Sequence, residues 1–356
     1  MVEDDAPEDL APGWEAIDAA LAPLYPGQEP KHVGTIIKWM LGGPDPLDGI
    51  SAWKRTDPVP HWHYVSFGLS ELYQKESENA EVSGWGFELT FRLICDAADE
   101  EPPAWAFSLM QNLARYVFKS GNVLGDGEWM NPNGPIALET DTQLQALAFV
   151  ADPELPTIGT PNGRVQFIQI VGLTLDEMEA GKQWQTGGLL DALLPHMPLW
   201  TTDLSRASLL DRPDVRDLVE SGKARDGSSM GLLFMPAIAW SMRKRFLQSP
   251  TMVVRLGAGH VEGLLQSLSL RLPFGRDLIV AGPDQAIRFA PGDSVAATEE
   301  NGELGFALTP AALDAMRATL RPVVGEYQVQ GLPGVVWKVE KTIIRDAAGN
   351  AVRTIG

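Results

Sequence analysis

Apolar residues recur along this chain at two periods, and the switches between them mark out its elements. Trp14, Ile17, Leu21 and Leu24 fall at helical spacing, and Pro26-Gly27 ends the helix they predict. Val33 to Leu41 is an apolar run that reads as a buried segment, strand or helix, and it leads into a corner at Gly42, Gly43, Pro44 and Pro46. The glycines favour open backbone angles and the prolines lack a donor, so neither kind of element continues through that corner. From His61 the period is two: His61, His63, Val65 and Phe67 share one face, and Trp62, Tyr64 and Ser66 the other. Gly84 to Asp96 is the clearest strand, with Phe87, Leu89, Phe91 and Leu93 opposed to Glu88, Thr90 and Arg92. After Pro102-Pro103 the helical period returns, with Trp105, Leu109, Leu113 and Val117 as the core stripe and an end near Ser120-Gly121.

Gly121 to Glu139 is rich in Gly, Asn and Pro and reads as loop; Leu144 to Ala151 and Arg164 to Leu173 read as strands. Thr174 and Glu177 have the spacing of a capping box, and Gly181 is placed to close that short helix. Leu199 to Leu204 reads as the last strand of a first domain. Asp211-Arg212-Pro213 opens a helix that Gly222 ends, and Arg225 to Ser229 reads as polar linker. Beyond it the pattern predicts strands at Thr251 to Leu256, Leu278 to Ala281, Ala286 to Ala290 and Leu304 to Leu308. Thr309 and Pro310 then start a helix that turns Leu313, Met316 and Leu320 inward. Val335 to Glu340 and Lys341 to Arg345 lead to a turn at Ala348-Gly349-Asn350 and a terminal hairpin. The predicted class is α/β in the mixed α+β sense: two domains, each a mixed sheet flanked by helices, with a cleft between them. The expected division is an acidic disordered tail over 1–10, a first domain over 11–205, a helix and linker over 206–228, and a second domain over 229–356.

Length supports that division, since 356 residues exceed the size at which single cores stop growing. With 11 Trp the chain has ample material for packed cores. A net charge of −19 repels nucleic-acid phosphates and anionic membranes and favours a basic protein or peptide partner, although solubility alone accounts for it equally well. Cys95 is the single cysteine, which excludes an intrachain disulfide and a multi-thiolate metal site. The first ten residues carry Glu3, Asp4, Asp5, Glu8 and Asp9 with no basic residue, the opposite of a signal peptide, and no apolar run reaches membrane-spanning length. A cytoplasmic protein without a cofactor is expected.

Four groups of residues could carry chemistry. His61 and His63 share a strand face, as paired metal ligands do, but no carboxylate follows over Ser66 to Leu69, and two hydrogen-bonded core rings suit the pattern better. Gly257-Ala258-Gly259 with Gly263 imitates a dinucleotide-binding turn without its usual glycine spacing. Cys95 ends an apolar strand, where a packed thiol is the ordinary reading. Tyr116, beside the helix's core stripe, and the loop Gly125-Asp126-Gly127-Glu128-Trp129 offer an aromatic anchor and an exposed carboxylate for a cationic partner group; a solvated turn beside a boundary tyrosine is the plain alternative. No catalytic residue is expected, no metal site, and the competing class is an enzyme with an unrecognised nucleotide or metal site.

The runs WMLGGPDPLDGISAW, HWHYVSFGLSELY, GWGFELTFRL and LMQNLARYVFKS resemble the Suppressor of fused family. VQFIQIVGLT and QWQTGGLLDALL extend the likeness through the first half, and ESGKARDGSSM, VVRLGAGHVEGLLQSLSLRLPFGR and LGFALTPAALDAM continue it more loosely. The resemblance implies two α/β domains joined by a hinge, holding between them a short extended peptide of a zinc-finger transcription factor by strand addition. It also implies a peptide-contacting role for Tyr116, within LARYVF, and for Asp126, near a family aspartate though with shorter local spacing. The long disordered insert of the animal proteins is absent, with only Met235 to Thr251 in its place. For bacterial-type members the resemblance implies immunity proteins that neutralise secreted toxins, a role the −19 charge suits.

Overall fold

In the computed structural model, the alternating stretch from His61 onward becomes the centre of a large mixed sheet. The structure describes residues 11–37, 39, 42–138, 140–243, 250–300, 303–345 and 349–356. The predicted tail at 1–10, Lys38, Met40 and Leu41 of the Val33 to Leu41 run, Glu139 at the end of the predicted loop, residues 244–249 of the Met235 to Thr251 segment and Ala348 of the last turn lie outside them. The chain divides into two units: the first runs to Gly181 and resumes over Thr186–Leu218, and the second comprises Lys182–Gln185 and Val219–Gly356. Both mix helices with sheets. No helix among the described residues is long and apolar enough to cross a membrane.

The first unit opens with helix α1 (Pro12–Leu21) and strands β1 (Lys31–Gly34), β2 (Gly49–Arg55), β3 (His61–Phe67) and β4 (Val82–Ile94). Helix α2 (Ala104–Ser120) follows, then β5 (Trp129–Met130), β6 (Ala146–Ala151), β7 (Ile158–Thr160) and β8 (Gly163–Leu173), and last helices α3 (Leu175–Gln183) and α4 (Thr186–Leu193). The sheet order is β1-β2-β3-β4-β8-β6-β5, with β7 folded back on β8; β4 and β8 run parallel and the other pairs antiparallel. Phe87, Leu89, Phe91 and Leu93 of β4 pack in one core with Met110, Leu113 and Val117 of α2. The opposite face carries a second core, where Val65 and Phe67 meet Ile17 and Leu21 of α1, and Trp14 stacks on Phe67 at 4.3 Å. Apolar layers on both sides explain why β3 is buried along its whole length.

Four expectations for this unit need correction. The Val33 run is exposed rather than buried, because β1 is the outermost strand and pairs only with β2; Val33, Ile36 and Ile37 all face out. The buried stripe of α2 is Ala106, Met110, Leu113 and Val117, with Trp105 and Leu109 on its flank, one position round from the predicted face. Gly181 sits inside α3, not at its end: a Cβ there would press on Leu189, so the glycine serves close packing. Leu199 to Leu204 forms a turn instead of a strand, since Leu199 and Trp200 take left-handed backbone (φ 55° and 48°) and Thr202 alone bridges to Leu93. Gln169 holds that turn by donating to the Leu199 and Trp200 carbonyls.

Helix α5 (Pro213–Asp226) leads on to β9 (Leu232–Phe234), β10 (Ala239–Arg243), β11 (Thr251–Gly257), α6 (Val261–Ser269), β12 (Leu278–Ala281) and β13 (Ala286–Pro291). The remainder is β14 (Ala296–Glu300), β15 (Glu303–Leu308), α7 (Pro310–Thr319), β16 (Gly325–Tyr327), β17 (Val335–Glu340), β18 (Thr342–Arg345) and β19 (Ala351–Ile355). Three sheets result, in the orders β10-β11-β17-β16, β14-β15-β13-β12-β9 and β18-β19. Phe289, Phe306 and Trp337 stack at 5.4–6.3 Å in a core shared with Leu264 and Leu268 of α6 and Leu313 and Met316 of α7. Thr309 caps α7 as its sequence predicts, its hydroxyl accepting from the Ala312 amide. Arg225 to Ser229 is not a linker: α5 runs through Gly222 to Asp226, Gly227 turns the chain at φ +65°, and Ser228 is buried with its amide on the Leu270 carbonyl.

Gly222 stays inside α5 because the Trp184 indole lies flat against it, its ring N–H donating to Asp226 at 3.0 Å. A methyl group there overlaps the indole. Gly222→Ala is therefore expected to destabilise the chain by about 1–3 kcal/mol despite alanine's better helix propensity. Urea unfolding checks the sign; a stabilised variant would show that the indole yields freely.

Candidate functional site

At one end of the first sheet lies a short strand of two residues, β5. Gly121 ends α2 in left-handed backbone (φ +75°), and the chain turns into the loop that carries Asp126. Gly127 needs its glycine, with φ +82°, and donates its amide to the Phe149 carbonyl at 2.9 Å. Phe149 returns a bond to the Glu128 carbonyl, and Trp129 and Met130 pair with Ala148 and Leu147. So β5 extends the ladder beyond β6, and among the described residues no strand pairs with its outer side. The three residues singled out in the sequence lie along the chain that leads from α2 into β5. Asp126 is exposed and accepts from the Ala151 amide at 3.3 Å; Trp129 is 37 % exposed; Tyr116 is 38 % exposed and its hydroxyl accepts from Asn122 of the same loop at 2.7 Å. A strand at the end of a sheet, two part-exposed aromatic side chains and a carboxylate are features that recognition of an extended segment uses.

Behind the sheet lies a buried charged layer that the sequence signalled only through the Glu88-Thr90-Arg92 alternation. Arg92 is fully buried; its Nη1 donates to Asp152 at 2.6 Å and to Gln169, and its Nη2 donates to Asp152 at 3.1 Å and Glu154 at 2.9 Å. Thr90 donates to Asp152 at 2.6 Å, and Arg55 reaches Glu154 at 2.6 Å. Two guanidinium groups face two carboxylates, so the layer is neutral overall. His63 sits opposite Arg92, its Nε2 3.5 Å from Asp152 and its Nδ1 accepting from the Tyr25 hydroxyl. Burial, with the Arg92 charge adding to it, lowers the His63 ring to about 4. Burial acts to raise Asp152, but His63 and Arg92 outweigh it and hold that carboxyl well below the usual range.

These contacts account for the histidine pair. His61 Nδ1 donates to the Val59 carbonyl at 2.7 Å, and Asp152, the carboxylate beside His63, is already engaged by Arg92. Among the described residues no three His, Cys, Asp or Glu side chains converge on a common point. At the glycine turn after β11, the Gly259 amide donates to the Thr342 hydroxyl at 2.9 Å, and Thr342 and Ile355 fill the space beside Gly257 and Gly259. That turn packs against the β18–β19 hairpin. Burial pushes the Cys95 thiol up, the reverse of what a nucleophile needs.

A family model for the Suppressor of fused protein matches residues 43–207. The human and mouse Suppressor of fused homologs are each 37% identical over 235 residues, which is 61% of this chain and 48% of the relative, so the chain spans about half the length of those curated relatives. The crystal structure of Drosophila Suppressor of Fused superposes with a TM-score of 0.80 at 24% identity, covering 93% of this chain and 97% of that one. A chain of the Sufu–Fu complex crystal structure is 35% identical with a TM-score of 0.55, over 59% of this chain and 97% of its own length.

The charged layer carries a pH dependence of definite sign. Unfolded, His63 titrates at its ordinary 6.5; folded, at about 4. Between those values the unfolded chain binds a proton that the folded chain refuses, so stability falls as pH drops from 6.5 towards 4. His63 contributes roughly 3 kcal/mol of that loss, and His61, also lowered by burial, adds in the same direction. Urea midpoints taken through this window are expected to decline, and His63→Gln to flatten the slope. A wild-type midpoint that is level over the same range contradicts the assignment.

Proposed function

The chain belongs to the Suppressor of fused family, and from that premise we propose that it is a non-enzymatic protein that binds and sequesters a protein partner, taking an extended, basic segment of it as an added strand on the edge of β5. The observation that carries this reading is the place of β5 at the end of the sheet order, with Trp129 in the strand, Asp126 in the loop before it and Tyr116 in the helix that leads to that loop. Strand addition draws affinity from main-chain bonds and specificity from the flanking side chains. That a Sufu–Fu complex exists for a relative supports protein binding as the activity. As part of the same proposal, the segment lies between the family's two domains, as the resemblance implies. The net charge of −19 supports a basic partner reached by electrostatic steering, and extends the reading to a cytoplasmic immunity protein that neutralises a basic toxin. No observation at the glycine turn, the histidine pair or Cys95 favours an enzyme instead.

Affinity purification from the native source is the direct test, with a basic polypeptide expected to accompany the chain. Against that polypeptide, Tyr116→Ala removes the anchor. Asp126→Asn removes only charge, because asparagine keeps an oxygen for the Ala151 amide. Loss of the Asp126 charge is expected to cost on the order of 1–3 kcal/mol and to act mainly by speeding dissociation. Added salt should mainly slow association. If both variants fold and bind as the parent does, the β5 edge is not the site.

A further inference from the structure

A second recess in the first unit is lined by none of Tyr116, Asp126 and Trp129. It opens beside the turn that follows β3 and has a volume of ≈ 530 Å³. Trp39, Tyr73, Trp85 and Phe118 are among its walls. The Phe118 ring stands 5.5 Å from both Trp39 and Trp85, tilted by 66° and 60°, so the three rings enclose a corner and do not stack shut. Trp39 and Tyr73 keep 39 % and 38 % of their surface exposed. Three carboxylates, Asp48, Glu71 and Glu76, share this lining, and among the described residues no Lys, Arg or His does.

The recess is formed in advance of any ligand. Fully buried Glu88 accepts from the Ser66 and Ser70 hydroxyls at 2.6 Å and from the amides of Gly68 and Ser70 at 2.9 Å and Leu69 at 3.4 Å. Trp85 donates its amide to the Leu69 carbonyl at 2.9 Å, and a Cβ on Gly84, at φ +53°, would come within 2.7 Å of that same oxygen. Burial works to raise the Glu71 carboxyl, but Lys75 and the Ser77 and Glu76 amides outweigh it and hold it at about 2, so it is charged at neutral pH. The floor is fixed by main-chain bonds; on the rim Glu71 is paired with Lys75 at 2.8 Å, and Asp48 and Glu76 are the other two carboxylates.

We propose that this recess captures a cationic side chain, arginine or lysine, of a protein partner. Aromatic faces attract a cation through their quadrupole, and carboxylates at the rim add to that attraction. A neutral apolar group of the same size would take water from the carboxylates and return nothing to them. An anion would be repelled. A basic partner matches the net charge of −19 as well.

The test incorporates 5-fluorotryptophan into the full chain and follows the fluorine resonances of Trp39 and Trp85, assigned with Trp39→Phe and Trp85→Phe variants. The probes are Nα-acetylarginine amide and Nα-acetyllysine amide, with the neutral citrulline and norleucine analogues as controls. Both resonances are expected to shift saturably with the cationic probes, which bind at least about threefold more tightly than the neutral ones. Trp39→Ala and Glu76→Gln, both at exposed side chains, should each weaken the arginine probe about threefold without altering thermal unfolding. Should Trp39→Ala prove unstable, Glu76→Gln decides alone. Equal binding of neutral and cationic probes, no saturable shift, or unchanged affinity in the variants each overturns the proposal. None of the substitutions falls at the β5 edge, so failure here leaves the reading of that edge to its own test.

Discussion

The Arg92–Asp152 pair is the constraint around which the first unit is arranged. A guanidinium with no exposed surface is costly unless its charge is compensated, and here Asp152, Glu154 and Gln169 take both Nη groups, from β8 and from the segment after β6, while Nε has no partner among the described residues. Sheets with apolar layers on both faces ordinarily carry continuous apolar strands. β4 instead alternates apolar and charged residues, and its charged face is as buried as its apolar one. Strand order near the centre is thereby specified by charge as well as by shape, because a register slip of one residue would bury Arg92 against the α2 core.

That rigid centre gives the two candidate surfaces different characters. Strand addition at the β5 edge, as proposed, would ask little of a partner's sequence and much of its conformation. The aromatic recess, as proposed, would ask for one charge in one place and be indifferent to conformation. Together they suit a partner that presents an extended segment and, elsewhere, a basic side chain.

Much of the architecture was legible where one period held over a long stretch. β4, β12 and α7 fell where the pattern put them, and the two faces of β3 were divided correctly. Failures came where a local signal had two causes. Gly181 and Gly222 mimic helix stops, but each lies mid-helix to admit a neighbour, Leu189 or Trp184. Val33, Ile36 and Ile37 have core composition and edge exposure. The strands β9 and β16, of three residues each, carry too few positions for a period to show. Tyr116, Asp126 and Trp129 could be singled out because they lie within fourteen positions of one another, around one loop. The recess could not: Trp39, Tyr73, Trp85 and Phe118 come from four separate segments, and only the folded sheet assembles them.

Glu88 has a wider consequence. Three of its five bonds are to main-chain amides, so the turn from Gly68 to Ser70 keeps its course largely whatever side chains lie beyond it. A mould held from beneath by one carboxylate can be relined without being recast. On the proposal made above, exchanging Gln74 or Glu76 would change what the recess prefers and leave the turn beneath it standing, so selectivity there can drift independently of the fold that supports it.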